Sequence, residues 1–136
     1  AVISVDNKVY TNTLVPYGTN FYEFDAELSD ERKHTLSIAY TNKNYREDIV
    51  FDDTGSVVKS KFLVVKNISL EDIELPHDII YDLSSFTVTE DWYEEQHSKD
   101  PKSYPLVIKN EMNLSWNGRW ELPFETPLYI WLLENI

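Results

Sequence analysis

A polar stretch from residue 43 to residue 60 contains the side chains whose types and spacing best suit a chemical site. It supplies carboxylates at close spacing and one glycine that lets the backbone turn: Glu47, Asp48, Asp52, Asp53 and Gly55. Calcium binds six to eight oxygens, largely from carboxylates and backbone carbonyls. The spacing does not match the EF-hand pattern. The sequence therefore predicts an irregular calcium site here, and a solvated acidic loop is the alternative.

Four aromatic residues are candidates for a ligand-stacking surface: Trp92, Tyr93, Trp116 and Trp120. Sugars present apolar C–H faces that pack on flat rings of this kind. Asn117-Gly118 is the preferred dipeptide of a two-residue type I′ turn, and in that hairpin the indoles of Trp116 and Trp120 lie on opposite faces. We therefore expect one of the two indoles in the core and the other available to a sugar.

Catalytic chemistry has little support in the sequence. The three histidines, His34, His77 and His97, are far apart and have no metal-binding spacing. The chain has no cysteine, no G-x-S-x-G motif and no phosphate-binding glycine loop. Acidic residues beside Trp92 could act as a carboxylate pair, but in a chain with 24 acidic residues such neighbours are expected by chance. We predict that the protein is not an enzyme.

The charge balance limits the classes of partner. The chain has 12 basic and 24 acidic residues, which gives a formal net charge of -12. Nucleic-acid affinity depends largely on neutralising phosphates with Lys and Arg, so direct DNA or RNA binding is not expected. No apolar run is long enough for a membrane helix, and the N-terminal residues lack the features of a signal peptide. We expect a mature soluble chain without membrane contact.

Alternating hydrophobicity predicts an all-β, antiparallel fold in one domain, residues 1–136. Phe21 to Leu28 and Thr35 to Asn42 alternate between apolar and polar residues, so we predict two half-buried strands that pair through a short polar turn. Lys61 to Leu75 contains a continuous apolar run and predicts a buried strand. Further predicted strands are an edge strand in residues 1–10, which Asp6-Asn7 could turn into a short hairpin, Ser85 to Thr89, Leu106 to Ile108 and a hairpin from Asn113 to Leu122.

The C-terminal stretch from Thr126 to Ile136 combines a helix-start signal with an apolar run. Thr126 is a suitable N-cap, and Pro127 suits the first position of a helix. Leu128 to Leu133 contains only apolar and aromatic residues. A short terminal helix and a last buried strand fit this pattern equally well.

The order of an aromatic strand, a short turn, an H-x-L-x-I-x-Y-x-N strand, a long polar loop and an apolar strand ending in I-x-L resembles the small β-sandwich modules of the calcium-dependent xylan-binding type. The residues that carry the resemblance are Phe21 to Leu28, His34 to Asn42, Phe62 to Val65 and Ile68 to Leu75. The resemblance implies a jelly-roll sandwich that binds calcium and sugar hydroxyls at one loop region, with Glu47, Asp48, Asp52 and Asp53 as ligand candidates. Those modules usually have an Asp just before the apolar strand, where this chain has Lys59-Ser60-Lys61. The C-terminal part, W-N-G-x-W through P-L-Y-I-W-L-L-E-N, also resembles small structural proteins of tailed phages.

These observations predict a jelly-roll-like sandwich that acts as a non-enzymatic, carbohydrate-directed binding module in a virion or an extracellular assembly, where it could be an oligomer or an assembly subunit. The alternative is an acidic structural or inhibitory protein that docks on a basic protein partner. A sugar module should show an exposed aromatic residue beside the acidic loop and gain stability from calcium or glycan. A docking protein should show a broad apolar patch, for which Leu128 to Leu133 is the candidate, and salt-sensitive association.

Overall fold

Strands make up most of the regular structure of the described residues, which also contain two short helices. The computed structural model describes residues 1–16, 18–41, 49–51, 53–54, 57–60, 62–89, 106–114 and 117–135, with only the backbone described at 49–51 and 57–60. The strands are β1 (Val2–Val5), β2 (Lys8–Asn12), β3 (Lys33–Tyr40), β4 (Ile49–Phe51), β5 (Val57–Ser60), β6 (Leu63–Val64), β7 (Ser69–Leu70), β8 (Ile73–Glu74), β9 (Ser85–Val88), β10 (Val107–Lys109), β11 (Asn113–Leu114) and β12 (Gly118–Glu125). The helices are α1 (His77–Leu83) and α2 (Leu128–Glu134).

The longest strands, β3 and β12, form the centre of a six-stranded antiparallel sheet. The strand order is β10-β9-β12-β3-β1-β2. β3 and β12 pair along their whole length, from Gly118 opposite Tyr40 to Glu125 opposite Lys33. β1 pairs with the other side of β3, and β9 pairs with the other side of β12. Both edges of β3 are therefore occupied.

One face of this sheet is the main wall of the core. Successive residues of a strand point to opposite faces, so every second residue of a central strand can be buried on the same side. The buried apolar residues of this face are Val5, Leu36, Tyr40, Phe86, Val88, Trp120, Leu122 and Phe124. Burying a large apolar side chain contributes about 1.5–3 kcal/mol, so this face is a major source of stability.

The helices and a small sheet complete the same core. α1 buries Ile79 and Ile80, and α2 buries Leu128 and Trp131. β6 and β11 pair in a two-stranded sheet in which Leu114 is fully buried. Neither helix in the described ranges is long and apolar enough to cross a membrane.

The prediction of a mainly antiparallel β fold is confirmed. The Asp6-Asn7 turn joins β1 and β2, and its φ angles of 50° and 68° lie in the left-handed region that a type I′ turn requires. β3, β9 and β10 lie within one or two residues of their predicted positions. At the C-terminus the helix is found, although Pro127 and not Thr126 occupies its N-cap position. The jelly-roll sandwich stays a prediction.

The predicted strand from Phe21 to Leu28 is wrong. These residues have no regular secondary structure, and they do not pair with β3 as expected. The segment cannot pair with β3, because β1 and β12 already occupy both sides of that strand. An alternation of apolar and polar residues does not show whether a neighbouring strand has a free edge for pairing.

A predicted single strand and a predicted loop each contain a pair of antiparallel strands. β7 and β8 pair around Glu71 and Asp72, whose φ angles are 51° and 62°, so Lys61 to Leu75 is not one continuous strand. This turn contains neither Gly nor Asn, the residues that usually mark a left-handed turn. The predicted loop from 43 to 60 contains β4 and β5, which pair antiparallel.

The predicted hairpin around Asn117-Gly118 is also wrong. β11 pairs with β6, while β12 pairs with β3 and β9. Gly118 is the first residue of β12, and its φ is not left-handed. A Cβ at this position would lie 2.4 Å from the carbonyl oxygen of Thr87 and 2.7 Å from Cζ of Phe86. The glycine is therefore required by the close approach of β9 and not by a turn.

Replacing Gly118 with alanine should destabilise the sheet, because the new methyl group meets backbone as well as a core ring. We expect Gly118→Ala to lower the free energy of unfolding by about 1–3 kcal/mol, the usual effect of overpacking. For a domain of this size that corresponds to roughly 3–10 °C in Tm, measurable by circular dichroism. An unchanged Tm would mean that β9 and β12 can separate here without loss of packing.

Candidate docking surface on the C-terminal helix

Trp120 is the one predicted ligand-binding aromatic that lies among the described residues. It is fully buried, and its indole N–H donates to the backbone carbonyl of Glu111 at 2.7 Å. Stacking on a ligand needs an exposed ring face, so Trp120 is a core residue without such a surface. Trp92, Tyr93 and Trp116 lie outside the described residues.

The predicted calcium ligands are represented by Asp53 alone. Asp53 is exposed in the connection between β4 and β5. Glu47, Asp48 and Asp52 lie outside the described residues. Within the described ranges, no three His, Asp or Glu side chains lie close enough together to hold a metal ion. The calcium site stays a prediction.

α2 presents an exposed apolar surface. Tyr129, Ile130 and Leu133 are 70 %, 49 % and 74 % exposed. An α-helix turns about 100° per residue, so these three positions lie within an arc of about 100° on one side of the helix. We call these three residues the α2 strip. The strip falls within the predicted patch from Leu128 to Leu133, of which the structure exposes one side and buries the other.

The buried side of α2 determines that the α2 strip faces solvent. Leu128 and Trp131 are 4 % and 3 % exposed. The indole of Trp131 meets the ring of Phe124 edge-on, with 6.4 Å between ring centroids and 68° between planes. A helix of seven residues is marginal in isolation, so its stability depends on this packing. The anchored side holds the strip towards solvent.

A buried histidine connects the sheet to the start of α2. His34 is 3 % exposed, and its ring packs on Phe124 with 5.4 Å between centroids. Its Nδ1 lies 2.6 Å from Oδ2 of Asp6, and its Nε2 lies 3.3 Å from Oγ1 of Thr126. Oδ1 of Asp6 accepts a hydrogen bond from the backbone N–H of Thr35 at 2.9 Å. One carboxylate therefore binds two groups of β3. No motif in the sequence indicates this cluster, although Asp6 in a predicted tight turn is a signal for a structural role.

The order of carboxylate, imidazole and hydroxyl in this cluster is the order found in catalytic triads. The side chain of His34 has no exposed surface, however, so a substrate has no path to the imidazole in this structure. The hydroxyl of Thr126 also donates to the backbone carbonyl of Glu31 at 3.4 Å. The contacts of the cluster all join structural elements, and its role is to position the residues that lead into α2.

An ion-pair group holds the last turn of α2. Nη2 of Arg32 donates to the two carboxylate oxygens of Glu134 at 3.0 and 2.8 Å, and Nε of Arg32 lies 3.3 Å from Oε1 of Glu125. The hydrogen bond to Glu134 and the charges of Glu125 and Glu134 raise the pKa of Arg32 above its usual value. The three side chains of this group carry two negative charges and one positive charge.

The outer face of the sheet carries a second polar network, centred on Arg119. Its Nη2 donates to Oδ1 of Asn7 at 2.8 Å and to Oγ of Ser37 at 2.9 Å. Its Nε is buried without a hydrogen-bond acceptor among the described residues, and Oε1 of Glu121 lies 3.8 Å away. Nη2 of Arg119 therefore links β12 to β3 and to the turn after β1, while the side chain as a whole stays 42 % exposed.

The bond between Asp6 and His34 can be tested with a substitution that keeps the turn. Asp6→Asn retains a side chain that tolerates a left-handed φ but replaces one of the two acceptor oxygens by an amide nitrogen. We expect a loss of about 1–3 kcal/mol in unfolding free energy, the usual effect of leaving a buried polar group without its partner. Urea unfolding would measure this loss.

Asp72→Asn is the matched control for this test. Asp72 has a φ of 62° in the other left-handed turn and is exposed without a side-chain hydrogen bond among the described contacts. Its substitution should change the unfolding free energy by less than about 0.5 kcal/mol. Equal effects of the two substitutions would contradict the anchoring role of Asp6.

Comparisons of the chain with protein-family models, with curated proteins and with solved structures found no match. The resemblances to xylan-binding modules and to tailed-phage structural proteins therefore stay predictions.

Proposed function

We propose that this protein is a non-enzymatic docking protein that binds a basic protein partner through the α2 strip. The observation that carries this proposal is the exposure of Tyr129, Ile130 and Leu133 on one side of a helix whose other side is anchored in the core. Single exposed apolar residues are normal, whereas contiguous ones mark interaction sites. The strip is contiguous because its members are one, three and four positions apart.

The charge of the chain favours a basic partner over a second copy. The net charge is -12, and the carboxylates of Glu125 and Glu134 lie near the end of α2 with Arg32 between them. Two copies meeting at this surface would bring like charges together, which opposes association. A partner with an apolar groove bordered by Lys or Arg would complement both the strip and its acidic surroundings.

The mode of binding that fits this geometry is a helix laid into a groove. Such helices use apolar anchors spaced at i, i+3 and i+4. Tyr129 and Leu133 have the i, i+4 spacing, and Ile130 and Leu133 have the i, i+3 spacing. Tyrosine is also enriched among the residues that contribute most to protein interfaces.

The carbohydrate-directed function has less support than docking. Its stacking surface depends on Trp92, Tyr93 and Trp116, which lie outside the described residues, and on Trp120, which is buried. We also keep the jelly-roll sandwich as the proposed finer fold. Its support is that β6 and β11 contribute Leu114 to the same core as the six-stranded sheet, as a second layer would.

The docking proposal can be tested with a synthetic helical peptide that carries leucine along one face and lysine along the other. We expect the native chain to bind this peptide and Leu133→Gln to bind it about tenfold or more weakly. The reason is that burying a leucine contributes about 1.5–3 kcal/mol, and 1.4 kcal/mol corresponds to a tenfold change in Kd. Isothermal titration calorimetry would measure both dissociation constants.

Leu14→Gln is the matched control, because Leu14 is 76 % exposed and Leu133 is 74 % exposed. Both substitutions remove the same side chain without changing the charge, and neither should change the unfolding free energy by more than about 0.5 kcal/mol. If the two variants bind the peptide equally well, the α2 strip is not the contact surface.

Salt should weaken the same association. Raising the ionic strength from about 0.01 M to about 0.15 M shortens the Debye length from about 30 Å to about 8 Å. We expect the Kd of the native chain to rise over this range, because the acidic surroundings of the strip attract the lysines of the peptide. An affinity independent of salt would contradict a basic partner and point to apolar contact alone.

A further inference from the structure

The segment Phe21 to Leu28 combines the sequence of a strand with an exposed, irregular conformation. Phe21 is 87 % exposed, and Tyr22 and Leu28 are each 38 % exposed. Phe24 is partly buried, stacked on Tyr10 of β2 with 4.9 Å between ring centroids and 8° between planes. In an extended strand Tyr22, Phe24 and Leu28 would share one face, and the chain leaves Tyr22 and Leu28 of that face exposed.

The backbone of this segment, residues 21–28, also lacks backbone–backbone hydrogen bonds within the described residues. The N–H of Glu27 donates to the hydroxyl of Tyr10 at 3.1 Å, and the carboxylate of Glu27 lies 3.8 Å from Nζ of Lys8. These contacts hold the segment beside β2, and within the described residues its other backbone donors and acceptors remain available to another strand.

We propose that Phe21 to Leu28 is a docking strand that pairs with the exposed edge strand of a basic protein. Added strands of this kind gain affinity from backbone hydrogen bonds and specificity from alternate side chains. The segment cannot obtain such a ladder from β3, because β1 and β12 occupy both edges of that strand. This surface is distinct from the α2 strip, and the inference stands whether or not the α2 strip binds a partner.

The charge pattern of the segment indicates which kind of strand can pair with it. Glu23, Asp25 and Glu27 alternate along the segment, so in an extended strand their carboxylates share one face. A second copy would place carboxylates opposite carboxylates, which is destabilising, whereas a strand with alternating Lys or Arg would place opposite charges across the pair. The proposed partner is therefore a basic edge strand of another protein and not a second copy of this chain.

The first test uses a synthetic peptide that alternates lysine with valine, added to the full chain. We expect slowed amide hydrogen exchange at alternate residues between 21 and 28, since one edge of a strand pairs every second N–H. A control peptide of the same sequence carries backbone N-methyl groups on both its lysines and its valines, which keeps the charge but removes the ladder donors of both edges. Equal binding of both peptides, or binding without amide protection, would overturn the proposal. Alternate protection in the free chain would also overturn it, because the segment would then already be paired with β2.

Proline substitutions provide a second test. Asp25→Pro and Ala26→Pro each remove one N–H, and because successive N–H groups of a strand point to opposite edges, one of the two faces the partner. Neither N–H has an intramolecular acceptor among the described bonds. We therefore expect at least one variant to bind the lysine–valine peptide about two- to tenfold more weakly, the effect of losing one hydrogen bond, with Tm nearly unchanged.

Asp30→Pro is the control for charge, since it also removes one carboxylate and lies outside the docking strand. Equal weakening by Asp25→Pro and Asp30→Pro, with no effect of Ala26→Pro, would mean that charge alone drives binding and would overturn the proposal. Leu133→Gln should bind the lysine–valine peptide like the native chain, which separates this surface from the α2 strip.

Discussion

The pairing of β3 with β12 is the constraint on which the rest of the structure depends. These strands are distant in sequence, yet they pair along their whole length and place Trp120, Leu122 and Phe124 on the core face. A strand has only two edges, and β1 takes the second edge of β3. Every other segment must therefore find its partners elsewhere. The small sheets of β6 with β11 and β7 with β8 and the unpaired backbone of residues 21–28 all fit this limit.

The same pair of strands also determines how α2 is presented. Phe124 lies opposite His34 in the ladder, and its ring contacts both the histidine and Trp131 of α2. The carboxylate of Asp6, in the turn after β1, satisfies His34 from the other side. Burial of the imidazole without this acceptor would leave a polar group unsatisfied in the core. The orientation of the exposed helix face is thus coupled to a polar contact at the adjoining end of the β3 and β12 pair.

Local signals in the sequence predicted local structure and failed where distant segments compete. The Asp6-Asn7 turn was predictable because both residues tolerate left-handed φ. Asn117-Gly118 carries an equally strong signal, yet the role of Gly118 is set by Thr87 and Phe86 on a neighbouring strand. The apolar run at the C-terminus was recognised, but which of its residues are exposed depends on periodicity. A strand would alternate its exposed residues, whereas the helix buries Leu128 and Trp131 and exposes Tyr129, Ile130 and Leu133. Asp6 and His34 are 28 positions apart, and no spacing rule connects them.

The acidic charge and the exposed apolar residues of this protein are best understood together. Apolar groups such as Phe21, Tyr129 and Leu133 favour association with any apolar surface, including that of another copy. The net charge of -12 opposes contact between copies, and it attracts surfaces of opposite sign. Apolar contact alone discriminates poorly between partners, since it has no direction and scales with buried area. Long-range electrostatic forces distinguish between partners, because like-charged proteins repel each other before their apolar groups come into contact. The two features together therefore agree better with the proposed binding of basic proteins than with association between copies.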